Sequence, residues 1–297
     1  MEQTLGIIGG SGLYALEGLS EIEEIRVATP FGAPSDAVIR GKLGPVTLLF
    51  LPRHGRGHRL APHRINYRAN VFALKALGAQ QVLSVSAVGS LDESLHPGDF
   101  VLVDQLIDRT RGRQSTFFDD FDMVAHVGFG DPVDAALAAA SREALARISA
   151  RVHVGGTYVC MDGPQFSTRA ESELYRSWGA SVIGMTNLPE AKLAREAELP
   201  YATVAMVTDY DCWREGVGEV DASAILEVMR ANLATARSAL RHLAKALPAE
   251  REASPIDTAL DTAVVTPFES WSAEAKVRLG AVAGRYMRLA ASPAPVG

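Results

Sequence analysis

The chain has 297 residues, 47% of them hydrophobic and 22% charged, with a formal net charge of −6. That is ordinary globular sequence, long enough for a large core in one or two domains, and its acidic balance argues against a nucleic-acid backbone as partner. No apolar run of ~18 residues predicts a membrane-spanning helix, Met1-Glu2-Gln3-Thr4 lacks the basic and apolar regions of a secretory leader, and Cys160 and Cys212 alone make no disulfide framework, so a reduced cytoplasmic protein is the simplest reading.

Leu5 to Ile8 reads as a short buried strand feeding the turn Gly9-Gly10-Ser11-Gly12-Leu13. Glycines let backbone N–H groups approach an oxyanion closely, and Ser11 adds a hydroxyl. Gly10 to Ala15 also fits the G-x-G-x-x-A dinucleotide fingerprint. That fingerprint wants a long helix and an acid ~20 residues on, whereas Leu16-Glu17-Gly18-Leu19 interrupts any long helix and 29–34 reads as loop. A nicotinamide oxidoreductase is therefore a minor alternative to a phosphate loop.

Val38–Lys42 and Val46–Leu51 form a predicted hairpin about Leu43-Gly44-Pro45. It ends in Pro52-Arg53-His54-Gly55, where an arginine fork and a second donor could meet phosphate. A solvated basic loop is the competing reading, because Arg56, His58 and Arg64 follow. His54, His58 and His63 do not suggest zinc, since no cysteine or carboxylate lies nearby in sequence.

Asn66 to Leu77 has helical spacing at Tyr67, Val71, Leu74 and Leu77, with Gly78 as a stop. Val82 to Ser90 is a buried strand ending in small residues, Ser86 and Ala87 among them. Phe100 to Asp104 is another strand. From Asp108 to Asp131 the pattern lapses into mixed charge and aromatics, including Arg109, Arg111, Arg113 and His126, and a long irregular excursion is usually functional or an interface. Pro132 to Ala150 reads as a helix and Val152 to Met161 as a strand leading to Asp162-Gly163-Pro164-Gln165-Phe166-Ser167. Thr168-Arg169-Ala170-Glu171 is a capping box opening a helix through Trp178.

Ser181 to Met185 and Tyr201 to Thr208 are apolar strands with abruptly polar ends: Thr186 after the first, Asp209 and Asp211 after the second. Such ends carry the sites of open α/β sheets. Two acids one residue apart suggest recognition of a base or a metal. A short helix spans Pro189 to Ala197, a long one runs from Asp221 to Leu247, and a last one from Ser272 to Leu289. Strands and helices alternate throughout, so one α/β domain with a C-terminal helical appendage is the economical reading. We divide it as residues 1–247, a polar, Pro-containing linker at 248–267, and a helical extension at 268–297.

Seven motifs together resemble the trimeric class of the purine nucleoside phosphorylase superfamily, in its 5′-methylthioadenosine phosphorylase branch. They are Gly9-Gly10-Ser11-Gly12-Leu13, Arg53-His54-Gly55, Asn66-Tyr67-Arg68-Ala69-Asn70, Ser86-Ala87-Val88-Gly89-Ser90, Gly163-Pro164-Gln165-Phe166-Ser167, Met185-Thr186-Asn187-Leu188-Pro189-Glu190 and Thr208-Asp209-Tyr210-Asp211-Cys212-Trp213. The resemblance covers residues 5 to about 245. It implies a central mixed, partly barrel-like β-sheet flanked by helices, and a homotrimer. It implies phosphorolysis of a nucleoside with inorganic phosphate as co-substrate and neither metal nor organic cofactor, in purine and methionine salvage.

The same resemblance implies residue roles. Phosphate would be held by Ser11, Arg53, His54, Ser86, the Ala87 N–H and Thr186. The purine would meet Phe166, Ser167, Asp209 and Asp211, with Met185 under the ribose and Asp209 as general acid. Ala222, Ile225 and Leu226 would face the 5′-alkylthio group, joined by His126 and Met287 of a neighbouring subunit. Relatives that use 6-oxopurines carry Asn at the position of Asp209 and Glu at that of Ser167. A carboxylate accepts from a 6-amino group, so this chain has the acceptor set for a 6-aminopurine, and 6-oxopurine or methylthioinosine use is the alternative.

Overall fold

The computed structural model describes residues 2–10, 12–121, 123–214 and 222–292, with the side chains of Phe121 and residues 222–226 also outside the described set. In chain order the strands are β1 (Thr4–Gly9), β2 (Ser20–Ile25), β3 (Val38–Leu43), β4 (Val46–Pro52), β5 (Gln81–Ser90), β6 (Phe100–Leu102), β7 (Gln105–Arg109), β8 (Val152–Val154), β9 (Thr157–Met161), β10 (Val182–Gly184) and β11 (Tyr201–Asp209). The helices are α1 (Tyr67–Ala76), α2 (Ala135–Ala146), α3 (Arg169–Ser177), α4 (Asn187–Glu196), α5 (Ala222–Ala246), α6 (Ala273–Arg278) and α7 (Gly280–Ala291).

All described strands join one mixed sheet in the order β2-β3-β4-β1-β5-β10-β9-β7, with β11 branching from β5 and carrying β6 and then β8. This is the α/β domain with flanking helices that the sequence implies. The sheet does not close, so the partly barrel-like expectation is corrected: β2, β7 and β8 remain as free ends of the branches.

Alternate residues of the central strands feed two cores. Ile8, Leu49, Leu51, Val82 and Val207 face α1, α4 and α7. Ile7, Leu48, Phe50, Leu83 and Met206 face α2 and α5. With helices on both faces, the strands read as continuous apolar runs rather than as alternating ones.

Local chemistry sets the helix starts. The Asn66 side chain accepts from Ala69 N–H to cap α1, and Asp134 accepts from Leu137 N–H to cap α2. The Thr168–Glu171 capping box is present at α3. Two elements differ from the sequence reading. The single strand 152–161 is two, because Gly155 and Gly156 take positive φ and a Cβ on Gly156 would stand 2.7 Å from Ser181 Oγ. The break lets β8 pair with β6 and β9 with β7 and β10. The last helix is also two, divided at Leu279.

Residues 248–267 do not hang free. Val265 N–H donates to Val124 O, His126 N–H to Ala263 O, and Ser254 Oγ to Asp134. Leu260 and Trp271 lie in the same core as α1 and α4. Glu198, at the end of α4, takes Leu260 N–H and both arms of Arg285, which fastens the C-terminal part to the sheet.

Glu196, the last residue of α4, is buried and accepts from Phe117 N–H at 2.8 Å. Burial pushes its carboxyl up to about 7, offset in part by that N–H and the Thr116 hydroxyl. A raised carboxyl holds its proton in the folded chain after the unfolded chain has lost it, so its effect is a loss of stability as pH climbs from the ordinary glutamate range to about 7. Glu196→Gln keeps an acceptor for Phe117 and removes the titration. Urea unfolding should find this variant more stable than the parent at pH 8, by on the order of 3 kcal/mol, and no more stable at pH 4. An equal difference at both values would sink the assignment.

Candidate active site

Strand β5 is forked. Its first half pairs with β1 through Ile8↔Ser84, and its end pairs with β10 through Ile183↔Gly89. Between those pairings, residues 85–88 have no strand on that edge, while β11 covers the other edge throughout. Val85 O points into the opening and accepts from Arg53 Nη1 at 3.1 Å. A strand turns the groups of residues i and i+2 to the same edge, so Ala87 aims its N–H into the same opening. Side chains from β4, β10 and β11 converge there.

Arg53 follows the end of β4 and is 2% exposed. Its fork engages Glu190, Nε to Oε2 at 2.8 Å and Nη2 to Oε1 at 3.0 Å. Nη2 also reaches Ser84 Oγ and Ile8 O. Burial alone disfavours the charged guanidinium, but the Glu190 carboxylate outweighs it and holds Arg53 cationic. One Nη1 hydrogen is left without a partner among the described residues. Arg53 thus offers an anion a single N–H and its charge, not the bidentate fork the sequence suggests.

His54 differs from expectation in the same direction. Leu60 O, which can only accept, lies 2.8 Å from Nδ1, so that nitrogen carries the hydrogen. Burial pushes the ring down to about 4, and although the Leu60 carbonyl raises it, Arg53 and His58 lower it further. His54 is therefore neutral at physiological pH and presents an Nε2 lone pair, an acceptor for a phosphate O–H rather than a second donor. The ring is stacked on His58 at 4.1 Å.

Ser86 and Thr186 are both buried and meet around Asn187. Asn187 Oδ1 stands 3.4 Å from Ser86 Oγ and from Ser84 Oγ, and Asn187 Nδ2 donates to Thr203 Oγ1 at 2.7 Å. Thr186 caps α4 positionally, yet its hydroxyl makes no cap bond. The glycine turn is pressed against α5: Gly12 O accepts from Arg237 Nε at 2.6 Å, and a Cβ on Gly12 would stand 2.6 Å from Leu233. Ser11 lies outside the described residues.

On the far side of the opening, β11 ends in a bulge opposite Gly89 that delivers Asp209. Thr208 Oγ1 donates to one Asp209 oxygen and Asp211 N–H to the other, each at 2.8 Å. Burial raises the Asp209 carboxyl, and those two donors offset part of the rise. A Cβ on Gly89 would be 3.0 Å from Asp209 Oδ1, so the small residue makes room for the acid. Asp211 sits at φ 53°, and its buried Oδ2 has no partner among the described residues. Burial raises this carboxyl too, with the Ser172 hydroxyl drawing it back and Asp209 adding to the rise.

Cys212 Sγ contacts Ser167 O at 3.2 Å, which ties the Asp211 strap to the 162–167 loop. Trp213 Nε1 donates to Ser90 O at 2.8 Å and fixes the strap's outer end. Phe166 is 47% exposed, open for a ring to stack on it. Met185 packs under the same loop, with its sulfur 2.5 Å from where a Gly163 Cβ would be. The opening of β5 therefore separates an anion corner from a pair of protonatable acids beside an exposed aromatic ring.

Two residues matter more than the sequence indicates. Glu190 stands in a quoted motif without a role, and it is the partner of Arg53. Arg113 comes from the irregular excursion, and its buried guanidinium gathers both sides of the site. It donates to Asp162 Oδ1 and Asp162 O, to the Tyr67 hydroxyl, and to Met185 O and Leu188 O, all within 3.0 Å. No periodicity could mark it, because its partners are scattered along the chain.

Other expected residues are not gathered. His126 lies on the exposed ribbon formed with 263–266, and Met287 is half-buried against the core that holds α1 and α4. Both are expectations about a neighbouring subunit. Ala222, Ile225 and Leu226 open α5, and their side chains lie outside the described ones. Among the described residues no group of His, Cys, Asp and Glu is placed to hold a metal ion.

Comparison with known proteins decides the family. The profile of the phosphorylase superfamily matches residues 4–247. The chain belongs to this superfamily. It is 52% identical over 288 residues to the S-methyl-5'-thioadenosine phosphorylase of Geobacter sulfurreducens, covering 97% of this chain and 100% of that one. It is 51% identical to the enzyme of the same name from Thermosynechococcus vestitus, again over 97% and 100%. A crystal structure of a methylthioadenosine phosphorylase from an antarctic soil metagenomic library superposes with a TM-score of 0.90 at 47% identity, over 95% of this chain and 99% of that one. The Schistosoma mansoni methylthioadenosine phosphorylase in complex with adenine gives 0.80 at 38% identity, over 84% and 93%. As a phosphorylase-superfamily member, the chain places its polar strand ends around one opening in the sheet.

Proposed function

We propose that this enzyme cleaves the N-glycosidic bond of 5′-methylthioadenosine with inorganic phosphate, giving adenine and 5-methylthioribose 1-phosphate. The observation that carries the reading is the pairing, across the β5 opening, of an anion corner with a buried carboxyl whose pKa is raised. Relatives at about half identity over nearly the full length bear the same activity in their names.

Phosphate sits at the Ala87 N–H, the hydroxyls of Ser86 and Thr186, the remaining Arg53 N–H and Nε2 of His54; the family resemblance adds Ser11, which lies outside the described residues. One phosphate oxygen bonds to C1′ as the C1′–N9 bond breaks and its electron pair passes to the purine. The sugar is oxocarbenium-like at that moment, and the phosphate's own negative charge stabilises it. Asp209, whose carboxyl burial raises, delivers a proton to N7 of the departing adenine. Asp211 lies next to the 6-amino group, Phe166 stacks on the ring, and Met185 lies under the ribose. The family resemblance assigns the 5′-methylthio side to Ala222, Ile225 and Leu226, with His126 and Met287 of a neighbouring subunit in a homotrimer. The reaction as drawn needs no metal or organic cofactor, and we place the enzyme in the cytoplasm, in purine and methionine salvage.

The test is adenine release from methylthioadenosine with phosphate varied, run beside adenosine, methylthioinosine and inosine. Release should depend on phosphate and favour the 6-aminopurines. Leaving the Asp209 and Asp211 carboxyls wrongly paired costs ~1–3 kcal/mol, about 5–150-fold in kcat/KM. Preference for the 6-oxo nucleosides would overturn the specificity, and cleavage without phosphate would overturn the reaction class.

A further inference from the structure

Thr186 is held from behind by a residue no motif includes. Tyr158 belongs to β9 and is fully buried. Its strand neighbour is Val182 on β10, two residues short of Gly184. From there the phenol runs across β10 at Gly184: a Cβ at that position would stand 2.0 Å from Tyr158 Oη and 2.6 Å from Cζ. Gly184 lies outside the positive-φ glycines, so it is there for space and not for backbone freedom. The hydroxyl emerges at Thr186, whose N–H donates to it at 3.4 Å. Thr186, through its backbone and its side chain, is its hydrogen-bond partner among the described residues.

A phenylalanine would fill the same buried space without a polar atom to satisfy. The hydroxyl meets Thr186, and the missing Cβ at Gly184 leaves the room for it. The Thr186 hydroxyl also lies within its reach, and burial keeps the phenol protonated at all working pH values. A Tyr O–H that donates to Thr186 Oγ1 obliges the threonine to turn its own hydrogen elsewhere, and the open side is the anion corner formed with Ser86.

We propose that Tyr158, reaching through the gap left by Gly184, is a positioning residue for phosphate: it fixes Thr186 so that the threonine hydroxyl donates to the anion. This rests on the phosphorolysis reading, in which Thr186 faces phosphate.

The test is Tyr158→Phe, assayed with inorganic phosphate and methylthioadenosine varied in turn. KM for phosphate should rise about 5–20-fold, the worth of one hydrogen bond to a charged ligand. At saturating phosphate kcat should stay within about twofold, and KM for the nucleoside should not move. In a Thr186→Ala background the tyrosine substitution should add nothing further. Should Tyr158→Phe melt well below the parent, its melting temperature serves instead: phosphate should raise it less than it raises the parent's, while methylthioadenosine raises both alike. An unchanged KM for phosphate in an active, folded variant overturns this inference and leaves the proposed function standing. So does an equal rise in both KM values, or a full effect in the Thr186→Ala background. No phosphate-dependent cleavage by the unaltered protein would remove both.

Discussion

Asp209→Asn should lower turnover on methylthioadenosine by about 10²–10⁴-fold, the usual contribution of a positioned general acid, while the protein stays folded. The structure says why folding survives. Both Asp209 oxygens accept, one from Thr208 and one from Asp211 N–H. An asparagine keeps one acceptor and turns an amide N–H₂ toward the other donor, a loss of about 1 kcal/mol. The pH profile gives a second readout. Because burial raises the Asp209 carboxyl, the proton-bearing form persists to higher pH than an ordinary aspartate allows. The rate should fall as pH rises through that value, and the variant's residual rate should lose that limb. Cleavage of methylthioinosine should suffer less than that of methylthioadenosine, since the amide can donate to a 6-oxo group. An unchanged rate on methylthioadenosine would end the general-acid assignment.

Glu190→Gln should be the most destabilising single change in the site, by ~3–5 kcal/mol in urea unfolding. Glu190 is 1% exposed and faces a guanidinium that is 3% exposed. Neutralising the acid leaves the Arg53 cation buried with only neutral acceptors, Ser84, Ile8 and Val85, around it. It also weakens the acceptor for the Tyr201 hydroxyl, 3.0 Å from Glu190 Oε1. Replacing both partners together, as Arg53→Met with Glu190→Leu, should recover much of the stability, because the expense lies in the unpaired charge rather than in the missing pair. The double variant should nonetheless bind phosphate poorly, having lost the cation. A loss below about 1 kcal/mol in the single variant would mean that water reaches the guanidinium and that Arg53 faces the anion far more openly.

The sequence exposes the site's polar strand ends better than the machinery behind them. Thr186, Asp209 and Asp211 are visible because apolar runs stop abruptly at them, and Arg53-His54 for the same reason. The roles of Arg53 and His54 are less legible, since their partners decide them. Glu190 lies 137 residues from Arg53, and the hydrogen on His54 is placed by a backbone carbonyl. Arg113 is invisible for the same reason. Among the fold elements, β2 carries no hydrophobic alternation because nearly every residue is exposed along a solvated edge. β7 runs into the start of the excursion, half-buried and partnered by a strand 52 residues on. The glycine pair at 155–156 reads as a dip within one strand until the sheet shows that the chain changes neighbours there.

The fork in β5 has a consequence for how the chain is made. One edge of β5 is sheathed only by β11, where Val82 pairs with Ala202's neighbour Tyr201. About two-thirds of the chain must leave the ribosome before that partner exists. Pairings this distant slow folding, and until they form, the apolar run Val82-Leu83-Ser84-Val85 presents an open ladder to any other strand nearby. In the nascent chain residues 85–88 stand open on both edges, and β11 closes the edge opposite the candidate site. Yield on expression should therefore be governed by how quickly residues 201–209 arrive and dock.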